Sequence, residues 1–460
     1  MPKHLTPAQF KQHVHRALQS LGTRPQPVPA LEGLLLYAQL SAQPSRNGRH
    51  SAPSLEGFLR RSLREFRHEQ PAQASLLVRR FLEHETTKEI AHQLSISVET
   101  VNRNQQRALQ RFADWLLAQE AALRQQRQAE LLASLPPASF GELLGVRAEQ
   151  ARLGQLLRRG QAPWVIALTG IGGIGKTALA QAALRALVAE LAYAQVLWLA
   201  ATPDQPLAPA RLLETLSRRL LPLALPASER PAALLQTLKA RPHLIVLDYL
   251  DEEVRDPAWV DWLQALAGPS RFLLCSRQHP AALARAYVVP LKELSLNASR
   301  ALLQARAEEV GLEALGPALR KQTSAIYART GGNPLALKLT VGLLHSWPLP
   351  DVLAALHERQ HADVDALYTT IYQASWQALS EPARRVLLAM PLVGNEGASL
   401  GQLRALSGLP AAALRNAVQE LHLRSLLEAS GDANQRRYSI HQLTHTFLRQ
   451  HILPAPFASE

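Results

Sequence analysis

The sequence predicts a multidomain chain: helical at its N-terminus, then a doubly wound parallel α/β sheet carrying a phosphate-binding loop, then more helices. Three observations carry this. The octet Gly170-Ile171-Gly172-Gly173-Ile174-Gly175-Lys176-Thr177 fits G-x-x-x-x-G-K-[ST] and lies between a β-prone apolar run, Trp164 to Thr169, and a helical pattern from Ala178 to Leu184. Further β-forming runs recur at Gln195–Ala200, Leu244–Asp248, Phe272–Ser276 and Tyr287–Val289, with helical periodicity between them. That alternation is the pattern of a parallel sheet covered by helices on both faces. Finally, residues 76–116 read as three helical segments with short connections.

Length and composition bound the class. A chain of 460 residues should hold about three to four domains at roughly 100–200 residues each. An apolar fraction of 47% suffices for packed cores and argues against disorder. The single cysteine, Cys275, excludes an internal disulfide and suits a reducing compartment. Met1 to Thr6 has no apolar core of a signal peptide, and no apolar run approaches the ~20 residues of a membrane span. A cytoplasmic location with no membrane partner is expected. The net charge of +13 points toward nucleic acid, although only 8 of the 50 basic residues are lysine. Arginine richness alongside abundant Ala and Leu also follows from a GC-rich coding sequence. Residues 1–137 hold 18 basic and 11 acidic side chains, +7 of the +13, so the charge leans N-terminal.

Residues 1–70 read as helical, interrupted by a Pro, Gly, Ser and Arg loop from Ala42 to Pro53; the pattern assigns them no role. Thr86 to Leu94 is a short amphipathic helix, Ser95-Ile96-Ser97 a tight turn, and Val98 to Arg107 opens a second helix. Thr86 or Thr87 can cap the first and Ser97 the second. Small Ala91 permits close crossing, and Ile90, Leu94, Ile96 and Val101 are expected to share one core. This stretch resembles the helix-turn-helix of sigma-region-four and LuxR-type DNA-binding domains. In such a module the early exposed residues of the second helix meet base edges: here Glu99, Thr100, Asn102, Arg103 and Gln106. Asn, Gln and Arg suit paired hydrogen bonds to adenine or guanine, with Arg107 and Arg111 placed for phosphates. A three-helix adaptor that binds protein fits the same pattern. Ala118 to Ala133 is a polar, Gln-rich helical linker ended by Leu135-Pro136-Pro137.

The octet carries the clearest chemistry. A strand entering a glycine-rich turn and then a helix aims free backbone N–H groups at one point, where the helix dipole adds positive potential. Gly170, Gly172, Gly173, Ile174, Gly175 and Ala178 would cradle a polyphosphate, Lys176 would reach the β- and γ-phosphates, and Thr177 would ligate Mg²⁺. Asp248 ends a buried-strand pattern, so its carboxylate is expected to complete the Mg²⁺ shell opposite Thr177. Arg277, ending another strand, is placed to sense the γ-phosphate. ATP or ADP with Mg²⁺ is the expected ligand.

The order of motifs is similar to that of STAND-class P-loop NTPases, in particular the NB-ARC switch. The matching pieces are Gly145-Val146-Arg147, the octet, Val196-Leu197-Trp198, Leu247-Asp248, Ser270 to Arg277, Gly331-Gly332-Asn333-Pro334-Leu335-Ala336-Leu337 and Tyr438-Ser439-Ile440-His441-Gln442-Leu443. The similarity runs from about Phe140 to Leu453. The resemblance implies a helical lid domain and a C-terminal winged-helix domain. It places Gly145 and Arg147 near adenine or ribose, Pro334 against the base, and His441 at the β-phosphate of ADP. It also implies boundaries: an N-terminal segment 1–70, helix-turn-helix 71–117, linker 118–137, nucleotide domain 138–291, lid 292–346, winged helix 347–453 and tail 454–460. Two departures stand out. Tyr249 follows Asp248 where the family commonly has a second acid, with Asp251, Glu252 and Glu253 falling late; Gln442 replaces the acid after the histidine. Both favour slow ATP turnover, suiting a switch. No 20–50-residue repeat array is present, so a separate sensor protein or direct sensing is implied.

The combined expectation is a cytoplasmic, bacterial, ATP/ADP-switched regulator. It would bind double-stranded DNA through the helix-turn-helix and form homo-oligomers in the ATP state. The alternatives are an oligomerising signalling or defence scaffold whose N-terminal helices recruit an effector protein, and an ATPase that loads onto DNA for recombination or transposition.

Overall fold

The computed structural model describes residues 5–21, 27–41, 54–138, 141–201, 206–250, 256–277, 286–357, 364–393, 397–431 and 435–453. The Ala42–Pro53 loop, Phe140, Asp251, Glu252, Glu253 and the 454–460 tail lie outside the described residues. The chain divides into two compact units, residues 1–130 and 131–460.

Among the described residues, the regular elements of the first unit are helices: α1 (Pro7–Gln19), α2 (Pro29–Glu32), α3 (Leu35–Ser41), α4 (Leu55–Glu69), α5 (Pro71–Phe81), α6 (Thr87–Leu94) and α7, which starts at Val98 and runs unbroken to Ala133. The Gln-rich stretch is therefore a continuation of the second helix of the turn motif. Amphipathic periodicity sends Phe10, Val14, Phe58, Leu63, Phe66, Leu77 and Phe81 into one core with Ala108, Leu109, Phe112 and Trp115 of α7. Helices α1 to α5 thus pack on the apolar face of α7. Glu120 pins this arrangement: nearly fully buried, it accepts the Leu35 and Leu36 N–H groups at 3.2 and 3.0 Å and pairs with Arg124 at 2.6 Å. A carboxylate there satisfies orphan donors at the start of α3 and favours its dipole.

Local chemistry also sets the turn motif. Thr86 and Glu89 form a capping box at the start of α6, and Ser95 ends the helix in the left-handed conformation (φ 54°). Ile90, Ala91 and Val101 pack together with Leu76. The expected four-residue core is not formed: Leu94 and Ile96 are 49% and 36% exposed. The left-handed Ser95 redirects the chain directly after Leu94, and Ile96 follows it onto the surface.

The second unit opens with α8 (Arg147–Arg158) and a five-stranded parallel sheet. Its strands are β1 (Val165–Thr169), β2 (Gln195–Ala200), β3 (His243–Asp248), β4 (Arg271–Ser276) and β5 (Tyr287–Pro290), in the order β2-β3-β4-β1-β5. Helices α9 (Lys176–Val188), α10 (Pro209–Leu220), α11 (Arg230–Ala240) and α12 (Pro257–Leu266) cover it. Strand alternation decides which face each residue joins. Ile166, Leu168, Leu244, Val246, Leu273 and Cys275 pack with α8 and α9. Val165, Ala167, Ile245, Leu247, Phe272 and Leu274 pack with α10 to α12. The doubly wound expectation holds.

Helices α13 (Leu296–Glu309), α14 (Gly316–Thr330), α15 (Pro334–Leu343) and α16 (Leu349–His357) follow, then α17 (Val364–Gln377), α18 (Glu381–Ala389), α19 (Leu400–Ser407), α20 (Ala411–Leu423), the antiparallel pair β6 (Glu428–Ser430) and β7 (Arg437–Ser439), and α21 (Gln442–Phe447). One continuous core runs through them from Leu294 to Leu448. Arg306 of α13 reinforces it, donating to the His422 carbonyl at 2.7 Å and to Ser425 Oγ at 3.1 Å. Among the described residues, no helix is long and apolar enough to cross a membrane.

Candidate nucleotide-binding site and helix-turn-helix face

Strand order builds the cleft. β4 lies between β1 and β3, so the end of β4 brings Arg277 between the phosphate loop that leaves β1 and the carboxylate that ends β3. Gly173 shows why the loop needs glycine. Its φ is +72°, and a Cβ there would collide with the Tyr368 hydroxyl and sit 2.8 Å from Leu335 Cβ. A Cβ on Gly172 would lie 3.2 Å from Leu443 Cδ1, so the C-terminal segment sits directly on the loop.

Side chains of the later helices grip the loop. Asn333, the N-cap of α15, donates from Nδ2 to the Gly172 carbonyl at 2.8 Å, and the Leu335 N–H reaches the Gly173 carbonyl at 3.3 Å. The Tyr368 hydroxyl lies 2.7 Å from Asn333 Oδ1 and 3.3 Å from the Gly172 carbonyl. Lys176 Nζ donates to the Gly170 and Ile171 carbonyls at 2.8 and 3.0 Å.

Thr177 and Asp248 come together as expected: Thr177 Oγ1 donates to Asp248 Oδ1 at 3.3 Å, and the Tyr249 N–H donates to the same oxygen at 3.0 Å. Asp248 Oδ2 is buried without a hydrogen-bond partner. Burial pushes the Asp248 carboxyl up to about 6, against the opposing pull of Thr177, the Tyr249 amide and Lys176. A buried carboxylate with one unsatisfied oxygen beside a threonine hydroxyl is a hard-oxygen pair that fits Mg²⁺. The Cys275 thiol faces the same carboxylate and is pushed up by burial and by that charge. Tyr249 adopts φ +59°, and burial with the charges of Asp248 and Glu428 raises its phenol.

His441 caps α21, its Nδ1 accepting the Leu443 N–H at 3.1 Å. The proton of the neutral ring therefore sits on Nε2. Burial, then Lys176, Lys338 and Arg277, hold its pKa down to about 4. Three cations and a histidine thus converge beside the N-terminus of α9, an arrangement that can receive a polyanion.

A cavity of about 1370 Å³ joins these groups. Gly172, Gly173, Ile174, Gly175, Lys176, Thr177, Ala178, Asp248, Arg277, Pro334 and His441 all line it. Gly170 lies behind it, with its carbonyl on Lys176. Gly145 and Arg147 are outside the lining. Gly145 (φ +75°) packs against Ala298 and Leu294, and Arg147 is an exposed side chain 3.6 Å from Glu142. Leu143, Leu144 and Val146 line the wall in their place. Sequence reasoning assigned no role to Asn333, Lys338, Tyr368 or Glu428. Lys338 lies one helical turn after Pro334, a spacing that could have exposed it; Tyr368 and Glu428 carry no local signal.

In the first unit, Asn102, Arg103, Gln106 and Arg107 are exposed along one face of α7, opposite Val101, Ala108, Leu109 and Phe112. Thr100 is half-buried, its hydroxyl 2.8 Å from Ser97 Oγ, which also accepts the Thr100 N–H at 3.1 Å. The Arg103–Glu99 pair, at 3.3 Å and largely exposed, fixes little. Arg111 donates to Gln70 at 2.9 Å.

Residues 70–112 match the family described as sigma-70, region 4, and residues 147–302 match the NB-ARC domain family. The Regulatory protein AfsR of Streptomyces coelicolor is 28% identical over 366 residues, covering 75% of this chain and 36% of that protein. The chain thus spans little more than a third of this relative's length. Among solved structures, a STAND protein with a tetratricopeptide repeat sensor from Pyrococcus horikoshii is similar over 69% of this chain and 44% of that one, at 17% identity and TM-score 0.44. The Thermotoga maritima RuvB Holliday junction branch migration motor is similar over 66% of this chain and 95% of that one, at 16% identity and TM-score 0.29. By these two matches, residues 147–302 are similar to an NB-ARC domain and residues 70–112 to the region 4 helix-turn-helix of sigma-70.

Proposed function

We propose that the chain is a regulator that binds double-stranded DNA through α6 and α7 and is switched by ATP and ADP. One observation carries the reading. Lys176, Arg277, Lys338 and His441 face one cleft that also holds the Thr177–Asp248 pair, and Asn333 and Tyr368 tie that cleft to the later helices. A terminal phosphate and Mg²⁺ held by Thr177 and Asp248 would add charge where those elements meet. Only such differential contact can bias two arrangements. Residues 292–346 act as the helical lid. Residues 347–453 act as a winged-helix domain, a reading supported by their order: α18, a bridge strand at Ala398 paired to Tyr438, α19, α20, then the β6–β7 hairpin. The Regulatory protein AfsR, a relative by sequence, supports the regulatory class.

In the ATP state the protein self-associates and gathers several helix-turn-helix faces, gaining affinity by effective concentration. Hydrolysis is slow and resets the switch. The protein works in the cytoplasm. Light scattering and fluorescence anisotropy on duplex DNA, with ATP, ADP and no nucleotide, test this. Larger particles and tighter, salt-sensitive DNA binding are expected with ATP alone. Lys176→Ala removes two or three charged hydrogen bonds to phosphate and should weaken ATP binding about 10²–10³-fold, abolishing the ATP effect. Identical DNA binding in every nucleotide state and in Lys176→Ala would refute the switch.

A second reading, in which α6 and α7 recruit an effector protein, is favoured by one feature. Leu94, Ile96 and Val98 are 49%, 36% and 39% exposed around the turn. Absence of DNA binding at any salt, with ATP-dependent assembly intact, would select it.

A further inference from the structure

We infer that Asn333 and Tyr368, from helices that follow the sheet, are positioning residues for the polyphosphate: they hold the Gly172–Gly173 segment of the phosphate loop in its receiving shape. This rests on the nucleotide reading above and names what its loop needs besides glycine. Glycine adopts left- and right-handed backbone about equally, so two in succession leave the N–H groups of a loop free to point several ways. Donors that are already aimed bind a polyphosphate best, because ordering them at the moment of binding subtracts from affinity. A hold on those two residues from outside the loop therefore raises phosphate affinity.

The hold is on the carbonyls. Asn333 Nδ2 donates to the Gly172 carbonyl at 2.8 Å, the Tyr368 hydroxyl lies 3.3 Å from the same oxygen, and the Leu335 N–H reaches the Gly173 carbonyl at 3.3 Å. A trans peptide is planar with its N–H opposite its C=O, so fixing these two carbonyls fixes the directions of the Gly173 and Ile174 N–H groups. Asn333 does more than cap its own helix. Its Oδ1 accepts the Leu335 and Ala336 N–H groups at 3.0 and 3.4 Å, while Nδ2 turns to the loop. The Tyr368 hydroxyl donates to that same Oδ1 at 2.7 Å and so orients the amide. It also fills the space that a side chain at Gly173 would need. Asn333 and Tyr368 are 2% and 3% exposed, so solvent has little access to these bonds.

Tyr368 is itself held from the C-terminal side. Its ring stacks on Tyr372 with centroids 6.1 Å apart, and Tyr372 stacks on Phe447 of α21 at 5.3 Å. Thr444 Oγ1 donates to the Tyr372 hydroxyl at 3.0 Å. The seating of α17 against α21 thus sets where the Tyr368 hydroxyl meets the loop. Because the hold acts on the loop, its loss weakens whatever carries a phosphate chain, with or without a nucleoside attached. Phosphate affinity is thereby tied to the docking of α15 and α17. When those helices lift, the loop loses its shape and the polyphosphate its aimed donors.

Isothermal titration calorimetry of the full chain with ADP, inorganic pyrophosphate and adenosine tests this, using Tyr368→Phe, Asn333→Ser and, for comparison, Tyr372→Phe. Serine keeps a capping oxygen for α15 but lacks the amide that reaches Gly172. Tyr368→Phe should lower ADP and pyrophosphate affinity alike by about 5–10-fold, and Asn333→Ser by about 10–30-fold, with adenosine binding unchanged. Tyr372→Phe removes a buried hydroxyl from the same stack without touching the loop. It should lower the melting temperature and leave pyrophosphate affinity as it was. ADP and pyrophosphate affinities within about two-fold of the natural protein in both loop variants overturn the proposal. So does an equal weakening of adenosine, or a pyrophosphate loss in Tyr372→Phe as large as in Tyr368→Phe, since either means a general loosening of the fold. A natural protein that binds ADP and pyrophosphate, with variants that bind them equally well, defeats this inference and leaves the nucleotide site standing. Failure of the natural protein to bind either one removes the reading beneath it.

Discussion

The face of α7 and the nucleotide cleft are built in opposite ways. Asn102, Arg103, Gln106 and Arg107 share one exposed face because a single helix repeats every 3.6 residues, and their only scaffold is the core on the other side of that helix. The cleft takes Lys176 and Thr177 from α9, Asp248 from β3, Arg277 from the end of β4, Lys338 from α15, Tyr368 from α17 and His441 from the start of α21. No two of these elements are adjacent in the chain. A face on one helix tolerates loss of a member, whereas a cleft assembled from six elements couples each group to the others. That difference can be broken or sharpened by measurement.

The largest effect belongs to Asp248. Its carboxyl is raised to about 6 from an ordinary 3.8, chiefly by burial. The folded state therefore binds its proton more tightly than the unfolded chain does. The associated stability is complete below the ordinary value and is lost as pH rises through about 6, amounting to about 3 kcal/mol across the window. His441 works the other way. Lowered to about 4, it contributes stability above the ordinary value of 6.5 that is lost as pH falls through about 4. Subtracting the unfolding curves of Asp248→Asn from those of the natural protein, without nucleotide or metal, isolates the first group. Its contribution should fall as pH rises from about 4 to 7, and Mg²⁺ with ATP should flatten the dependence. A difference independent of pH would mean the carboxylate is solvated, and the case for a coupled cleft would weaken.

A middle-sized effect tests coupling directly. Tyr368 and Asn333 touch each other and both touch the Gly172 carbonyl. Removing either deletes its hydrogen bonds to the loop and to the other side chain, at a cost of about 1–2 kcal/mol. The double variant Tyr368→Phe, Asn333→Ala should cost less than the sum of the singles, with a coupling of about 1 kcal/mol. Hydrogen exchange at the N-terminus of α15 reads the loosened grip region by region. Strict additivity would show that these contacts are independent.

The same contrast explains what could be read in the chain. The octet was legible because strand, glycine turn and helix are consecutive, and its chemistry is local. Asp248 and Arg277 were legible because strand ends in a parallel sheet converge on one edge. Tyr368 and Glu428 were not, because an aromatic on a helix and an acid on a short strand acquire meaning only when distant segments pack. Residues 1–70 gave the same difficulty. Helices α1 and α4 are amphipathic, but periodicity says which side is apolar and not that the partner is α7. The Leu94 and Ile96 expectation failed for a narrower reason. Helical periodicity was carried across Ser95, where the backbone turns left-handed and ends the repeat.

The smallest effects belong to α7. Arg103 and Arg107 lie one turn apart on the exposed face, held by at most an exposed ion pair to Glu99. If both meet DNA phosphates or base edges from a rigid helix, their removal leaves the rest of the face in place. Arg107→Ala should lower the slope of log affinity against log salt by about one, with a similar loss across DNA sequences. Arg103→Ala should cost more on a preferred sequence than on random duplex, since a guanidinium on guanine discriminates where one on phosphate does not. The two losses should add in the double variant to within about 0.5 kcal/mol. Strong non-additivity would mean that the helix itself rearranges on DNA, and the division between a rigid face and a coupled cleft would no longer describe this protein.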